Sequence, residues 1–170
     1  MSSRPIIVLG GQGQLGRALI ELASMRRTPL VCLSKTEADV TDLAGMRLAA
    51  RELDPAAIIN AAAFTDVDGA ESRPETAYAV NVQGAENAAV IARSLGVPLL
   101  HLSTDYVFDG SKGAPYVEDD APNPLGVYGD TKLSGEGRVL EVGGDALICR
   151  TSCLYGNNGS NFVRSILKAA

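Results

Sequence analysis

The sequence predicts an α/β protein of the Rossmann type, a doubly wound parallel sheet with helices on both faces. Three observations carry that prediction. Apolar runs alternate with stretches of helical period along the chain, the pattern of repeated β-α-β units. The runs are apolar nearly throughout, as strands covered on both faces are. A glycine-rich turn, "VLGGQGQLG" (8–16), joins the first run to a helix-like stretch, "QLGRALIELA"; a dinucleotide-binding fingerprint needs that context.

The candidate strands are "PIIVLG" (5–10), "PLVCLS" (29–34), "AAIINAA" (56–62), "VPLLHLS" (97–103) and "DALICRT" (145–151), with a shorter one at "ADVT" (38–41). Between the third and fourth strands, Ala77, Val80, Gly84, Ala88, Ile91 and Leu95 recur at three- and four-residue steps and share one helix face. Ser72 with Glu75 three residues later reads as a capping box, and Pro74 suits a first turn. Gly96 and Pro98 end this helix. The turn-rich segment 108–126 reads as a functional or mobile loop. After Ser160 a further helix begins, with Phe162, Ile166 and Ala170 on one face and no cap behind it. Residues 1–170 therefore read as one NAD(P)-binding domain, with 161–170 opening a C-terminal substrate-binding part that the chain lacks.

A chain of 170 residues suits one sizeable core. The formal net charge of −5, with scattered Lys and Arg, argues against a nucleic-acid partner. No apolar run reaches membrane-spanning length, and the start lacks a signal peptide's core. Cys32, Cys149 and Cys153 show no metal-type spacing, so reduced thiols in the cytoplasm and no metal are expected.

The glycine turn parses as G-x-x-G-x-x-G from Gly10 or as G-x-G-x-x-G from Gly11. Either way glycine lets the backbone approach a pyrophosphate, and the helix N-terminus supplies unpaired N–H groups. Where a dinucleotide-binding unit ends its second strand with an acid, this chain has Ser34 and Lys35. A hydroxyl and a cation suit a 2′-phosphate, which favours NADPH and leaves NADH open; Lys35 reads equally well as a solvated loop residue. Tyr128 and Lys132, four residues apart in "VYGDTKLSGEG", share a helix face. A cation about 4 Å away, at an effective dielectric of about 20, lowers a tyrosine of pKa ~10 by roughly 3 units. Ser103 and Thr104 close the fourth strand, where a hydroxyl can orient a substrate carbonyl.

Other residues read more plainly. His101, within a strand, is a packed, hydrogen-bonded residue. Asp66, Asp68 and Glu71 form a solvated helix start, and "EDD" (118–120) belongs to a solvated active-site flap. Cys149 is a small core residue.

The stretches "GGQGQLG", "ADVTD", "INAAAFTDVDGAE", "AVNVQGAENAA", "LSTDYVFDG", "DAPNPLGVYGDTKLSGE" and "RTSCLYG" together resemble the dTDP-4-dehydrorhamnose reductases, within the extended short-chain dehydrogenases/reductases. The resemblance implies NADPH-dependent reduction of the C4 ketone of a nucleotide-linked deoxysugar, with a homodimer as a compatible assembly. It selects Gly10, Gly13 and Gly16 as the fingerprint, with Gln14 and Leu15 along the pyrophosphate, Asp39 and Val40 beside the adenine, and Ala62 and Ala63 lining the cofactor cleft. It maps Thr104, Tyr128 and Lys132 to the catalytic triad, with Tyr128 as proton donor and Lys132 also touching the cofactor ribose. Asn81 maps to a supporting position, and Thr65, Val67, Thr104, Asp105 and Tyr106 to the sugar-facing wall. Cys153 stands on that wall where the family carries Trp, which puts the exact sugar in question. Asp105 is followed by Tyr106 rather than the Glu of the superfamily's dehydratases, which argues against dehydration. A second reading from the same superfamily is a non-catalytic NAD(P)-binding subunit like the methionine adenosyltransferase β subunit.

Overall fold

The computed structural model describes residues 4–156 and 161–169. Five parallel strands form one sheet: β1 (Ile6–Leu9), β2 (Leu30–Leu33), β3 (Ala57–Asn60), β4 (Leu99–Thr104) and β5 (Ala146–Thr151), in the order β2-β1-β3-β4-β5. All five expected strands form, each trimmed to its paired residues. The helices are α1 (Gln14–Arg26), α2 (Leu43–Leu53), α3 (Val67–Ser72), α4 (Pro74–Tyr78), α5 (Gly84–Leu95), α6 (Val127–Val142) and α7 (Phe162–Ala169). Ser160 and Ala170, cited above for the last helix, lie outside the described residues.

Right-handed crossovers put α1 on one face of the sheet and α2, α5 and α6 on the other, where α5 packs against both α2 and α6. The core lies on that second face: Ile7, Leu9, Ile58 and Leu99 meet Ala85, Ala88, Ile91 and Val139. The small residues of α5 allow close helix–sheet approach; a Cβ on Gly84 would come within 2.7 Å of the Val40 side chain.

Four expectations change. No strand forms at 38–41; Asp39 closes a turn by accepting from Thr41 N at 3.0 Å, while Ala38 and Val40 point inward. Ser72 does not cap the next helix. It ends α3, where its hydroxyl donates to Gly69 O at 3.1 Å. The long helix is interrupted by a π-helical turn over Ala79–Gln83, an extra-residue distortion that recurs at functional sites. Cys149 is exposed rather than packed. Strand β5 lies at the sheet edge far from β2, and alternation turns Leu147 (65% exposed) and Cys149 to α1's face, where α1 packs by β2 and does not extend over β5.

Among the described residues no helix is long and apolar enough to cross a membrane. No group of three or more His, Cys, Asp or Glu side chains converges there for a metal.

Candidate active site

A cleft of about 720 Å³ opens at the C-terminal ends of the strands, where ligands of open α/β sheets bind. It is lined from β1 by Gly10, Gly13, Gln14, Leu15 and Gly16, and from the segment after β2 by Lys35, Asp39 and Val40. The segments after β3 and β4 contribute Ala62, Ala63, Thr65 and Val67, then Thr104, Asp105 and Tyr106. Helix α6 adds Tyr128 and Lys132, and the segment after β5 adds Cys153.

The glycines allow the turn to lie against its neighbours. Gly10 has φ +78° at the point where the strand order reverses, and a Cβ there would meet Ala62 Cα and N at 2.8 Å. A Cβ on Gly16 would meet Gly11 O at 2.4 Å, so α1 starts directly on the turn. Gly13 caps α1 with no side-chain bond, which leaves first-turn N–H groups for an anion. These features fit a dinucleotide pyrophosphate.

Ser34 does not reach the cleft. It is buried, and its hydroxyl donates to Glu37 Oε2 at 2.6 Å. Lys35 is exposed and 3.6 Å from Asp39 Oδ2. Asp39, bonded by the backbone N–H and hydroxyl of Thr41 and beside Lys35, is held below the usual carboxylate range, the Thr41 N–H contributing most.

Tyr128 and Lys132 stand one turn apart on α6, whose first N–H at Val127 donates to Glu71 Oε1 at 2.8 Å. Lys132 is 2% exposed and donates to Leu102 O at 2.6 Å. Burial brings its ammonium down to about 8, with partial relief from the Glu136 carboxylate. Burial also raises the Tyr128 phenol, against an opposing hydrogen bond with Thr104. The lowering anticipated from Lys132 is not found: burial dominates the phenol, and the ammonium donates to the Leu102 carbonyl. The Tyr106 and Tyr128 rings meet edge to face, centroids 5.5 Å apart. The Thr104 hydroxyl accepts from Tyr106 N at 3.2 Å.

Asn81 projects from the π-helical turn. Its Oδ1 accepts from Phe64 N at 2.8 Å, and its Nδ2 donates to Phe64 O at 3.2 Å and to Thr131 Oγ1 at 3.0 Å. Thr131 in turn donates to Tyr128 O at 2.8 Å. One amide thus ties the loop after β3 to the tyrosine-bearing turn of α6.

His101 is 1% exposed; its Nδ1 meets the Asn60 amide at 3.1 Å, which leaves Nε2 without a partner. Burial, with the Lys132 charge, drives it down to about 3, so it stays neutral. Residues 108–126 contribute nothing to the cleft lining. They are tied down instead: Asp109 accepts from Ser111 N, the Tyr116 hydroxyl and Asn123 Nδ2, and the Phe108 and Tyr116 rings stack. In the acidic group, Asp66 caps α3 and pairs with Arg73 at 2.7 Å.

Sequence reasoning missed a buried network behind Lys132. Glu136 accepts from the Ser103 hydroxyl and binds the Arg150 guanidinium through both its oxygens, at 2.6 to 3.2 Å. Two signals were available: Glu136 follows Lys132 by four residues, and Arg150 is a cation inside the apolar run "ALICRT".

A family model described as RmlD substrate binding domain matches residues 4–170. A dTDP-4-dehydrorhamnose reductase of Streptomyces griseus is 47% identical over 95% of this chain and 54% of its own length. A dTDP-4-keto-6-deoxy-D-glucose reductase of Streptomyces niveus is 39% identical over 95% of this chain and 57% of its own length. The crystal structure of dTDP-4-dehydrorhamnose reductase from Bacillus anthracis in complex with NADP superimposes with a TM-score of 0.94 at 36% identity, covering 98% of this chain and 59% of that one. The chain thus spans little more than half the length of these relatives.

Proposed function

This chain belongs to the RmlD substrate binding domain family, and from that premise we propose that the protein is an NADPH-dependent reductase of the C4 ketone of a dTDP-linked deoxysugar. The observation that carries the reading is one cleft lined by the Gly10–Gly16 turn together with Thr104, Tyr128 and Lys132. The relatives are named as reductases, which supports this reading over a non-catalytic regulatory subunit.

The dinucleotide, when bound, supplies the hydride. Gly10, Gly13, Gln14, Leu15 and Gly16 hold its pyrophosphate, Asp39 and Val40 its adenine end, and Ala62 and Ala63 the wall between. Lys35 stands at the mouth of the cleft, where a 2′-phosphate gains a cation. Thr104 orients the ketone through its hydroxyl. Tyr128 donates its proton to the oxygen that becomes an alkoxide. A raised phenol suits that direction of reaction, because the donor must carry its proton at neutral pH. Lys132, one turn on from Tyr128 in the same cleft, would hold the cofactor ribose. Thr65, Val67, Asp105, Tyr106 and Cys153 face the sugar. Cys153 gives a narrower apolar surface than an indole, so the two sugars in the relatives' names are both candidates.

The test is reduction of dTDP-4-dehydrorhamnose by the full-length protein, followed through NADPH absorbance. Tyr128→Phe should lower kcat by about 10²–10⁴-fold with little change in KM. A Tyr128→Phe protein with wild-type kcat refutes the role.

A further inference from the structure

We propose that Glu136 is a positioning residue for Lys132: clamped by Arg150 and Ser103, its carboxylate fixes this part of α6 on β4 and keeps the buried ammonium charged. The geometry is a lacing of three elements. Consecutive β4 residues, Leu102 and Ser103, bind consecutive turns of α6, through Lys132 Nζ to Leu102 O and through the Ser103 hydroxyl to Glu136. Ser103 lies opposite Arg150 in the β4–β5 register, so the guanidinium reaches the same carboxylate from the neighbouring strand. Arg150 also lies over the Phe108 ring, 5.1 Å from its centroid.

Glu136 is 4% exposed, and its bonds to Ser103 and Arg150 satisfy both oxygens. A carboxylate so deep needs such partners to stay ionised. Around Lys132 stand the Leu102 carbonyl and neutral His101 from β4, protonated Tyr128 one turn back, and Glu136 one turn on. Of these, Glu136 alone brings negative charge, and it opposes the effect of burial on the lysine. Arg150, beyond it, works the other way. An ion pair with a merely structural role would leave the lysine's titration unchanged; this one is placed to set it.

The inference rests on the packing of α6 against β4 and β5 and stands apart from the reductase reading. The experiment follows the Lys132 Nζ titration by NMR in ¹⁵N-lysine-labelled full-length protein. Glu136→Gln should lower the midpoint by about one pH unit or more. Arg150→Gln, which leaves the carboxylate unopposed, should raise it. A folded Glu136→Gln protein with the wild-type midpoint overturns the proposal, as do two variants that shift it the same way. If Glu136→Gln does not fold, Arg150→Gln decides alone: a rise supports the proposal, and an unchanged or lower midpoint overturns it. Wild-type protein that reduces no keto sugar would defeat the reductase reading and leave this titration to stand by itself.

Discussion

Replacing Gly10 by Ala should damage the fold, whereas the same change at Gly13 should spare the fold and damage the ligand site. Gly10 carries φ +78°, and its added methyl would sit 2.8 Å from two backbone atoms of Ala62 and 2.9 Å from Ala61 C. The left-handed conformation costs an alanine about 1–2 kcal/mol. Forcing apart two backbone segments adds about 1–3 kcal/mol. For a chain of this size each kcal/mol lowers Tm by about 2–4 °C, so the midpoint should fall by roughly 10 °C. Gly13 has φ −69°, which alanine adopts freely, and its methyl would meet only Gly10 O, at 3.2 Å. The reduced freedom of the unfolded chain returns about 0.4–1 kcal/mol, so Tm should change little. That methyl projects at the open start of α1, where a pyrophosphate must approach, and NADPH affinity should fall about tenfold or more. Thermal unfolding by circular dichroism and NADPH titration by fluorescence measure the two effects. Equal loss of Tm in both variants, or unchanged NADPH binding by Gly13→Ala, would refute the reasoning.

Lys132 should make stability depend on pH in one direction. Its folded value, about 8, lies below its ordinary 10.5, so the unfolded chain binds more protons between these values and stability rises with pH across that window. In Lys132→Met that rise should disappear, leaving stability flat from pH 8 to 10.5 in urea titrations. His101 is the chain's one histidine, and at about 3 its imidazole resonance should not shift between pH 8 and 5. Because that value is depressed, the stability His101 contributes is complete above pH 6.5 and drains away as the pH falls towards 3. Lys35→Ala should weaken NADPH binding about fivefold or more while leaving NADH nearly unaffected. Equal losses for both cofactors, read by fluorescence titration, would assign Lys35 to the solvated surface instead.

The local requirements of the fold were legible in the sequence. The five strands fall on the predominantly apolar runs, and the glycines of the first turn sit where backbone meets backbone. Where the pattern misled, a side chain offered the backbone a local alternative. Residues 38–41 alternate like a strand, yet Asp39 bends them into a turn. Ser72 has the spacing of a cap, yet its hydroxyl turns back into α3. Burial of Cys149 assumed cover on both faces, and strand order alone determines that β5 is marginal. The expectation for Tyr128 failed on burial: spacing puts Lys132 on the right face but does not tell how deeply the phenol is buried, nor that the ammonium reaches Leu102 O. Glu136 and Arg150 meet only through the β4–β5 register, a long-range fact.

The pair of hydrogen bonds between the Asn81 amide and the backbone of Phe64 has a consequence for what can be substituted nearby. It anchors the start of the loop after β3 through main-chain atoms, which every residue possesses. Substitutions at Thr65 or Val67 can therefore reshape the cleft lining without relocating that rim of the cleft. The shape of the lining and the position of the scaffold are separable in this corner of the molecule, and a single amide separates them.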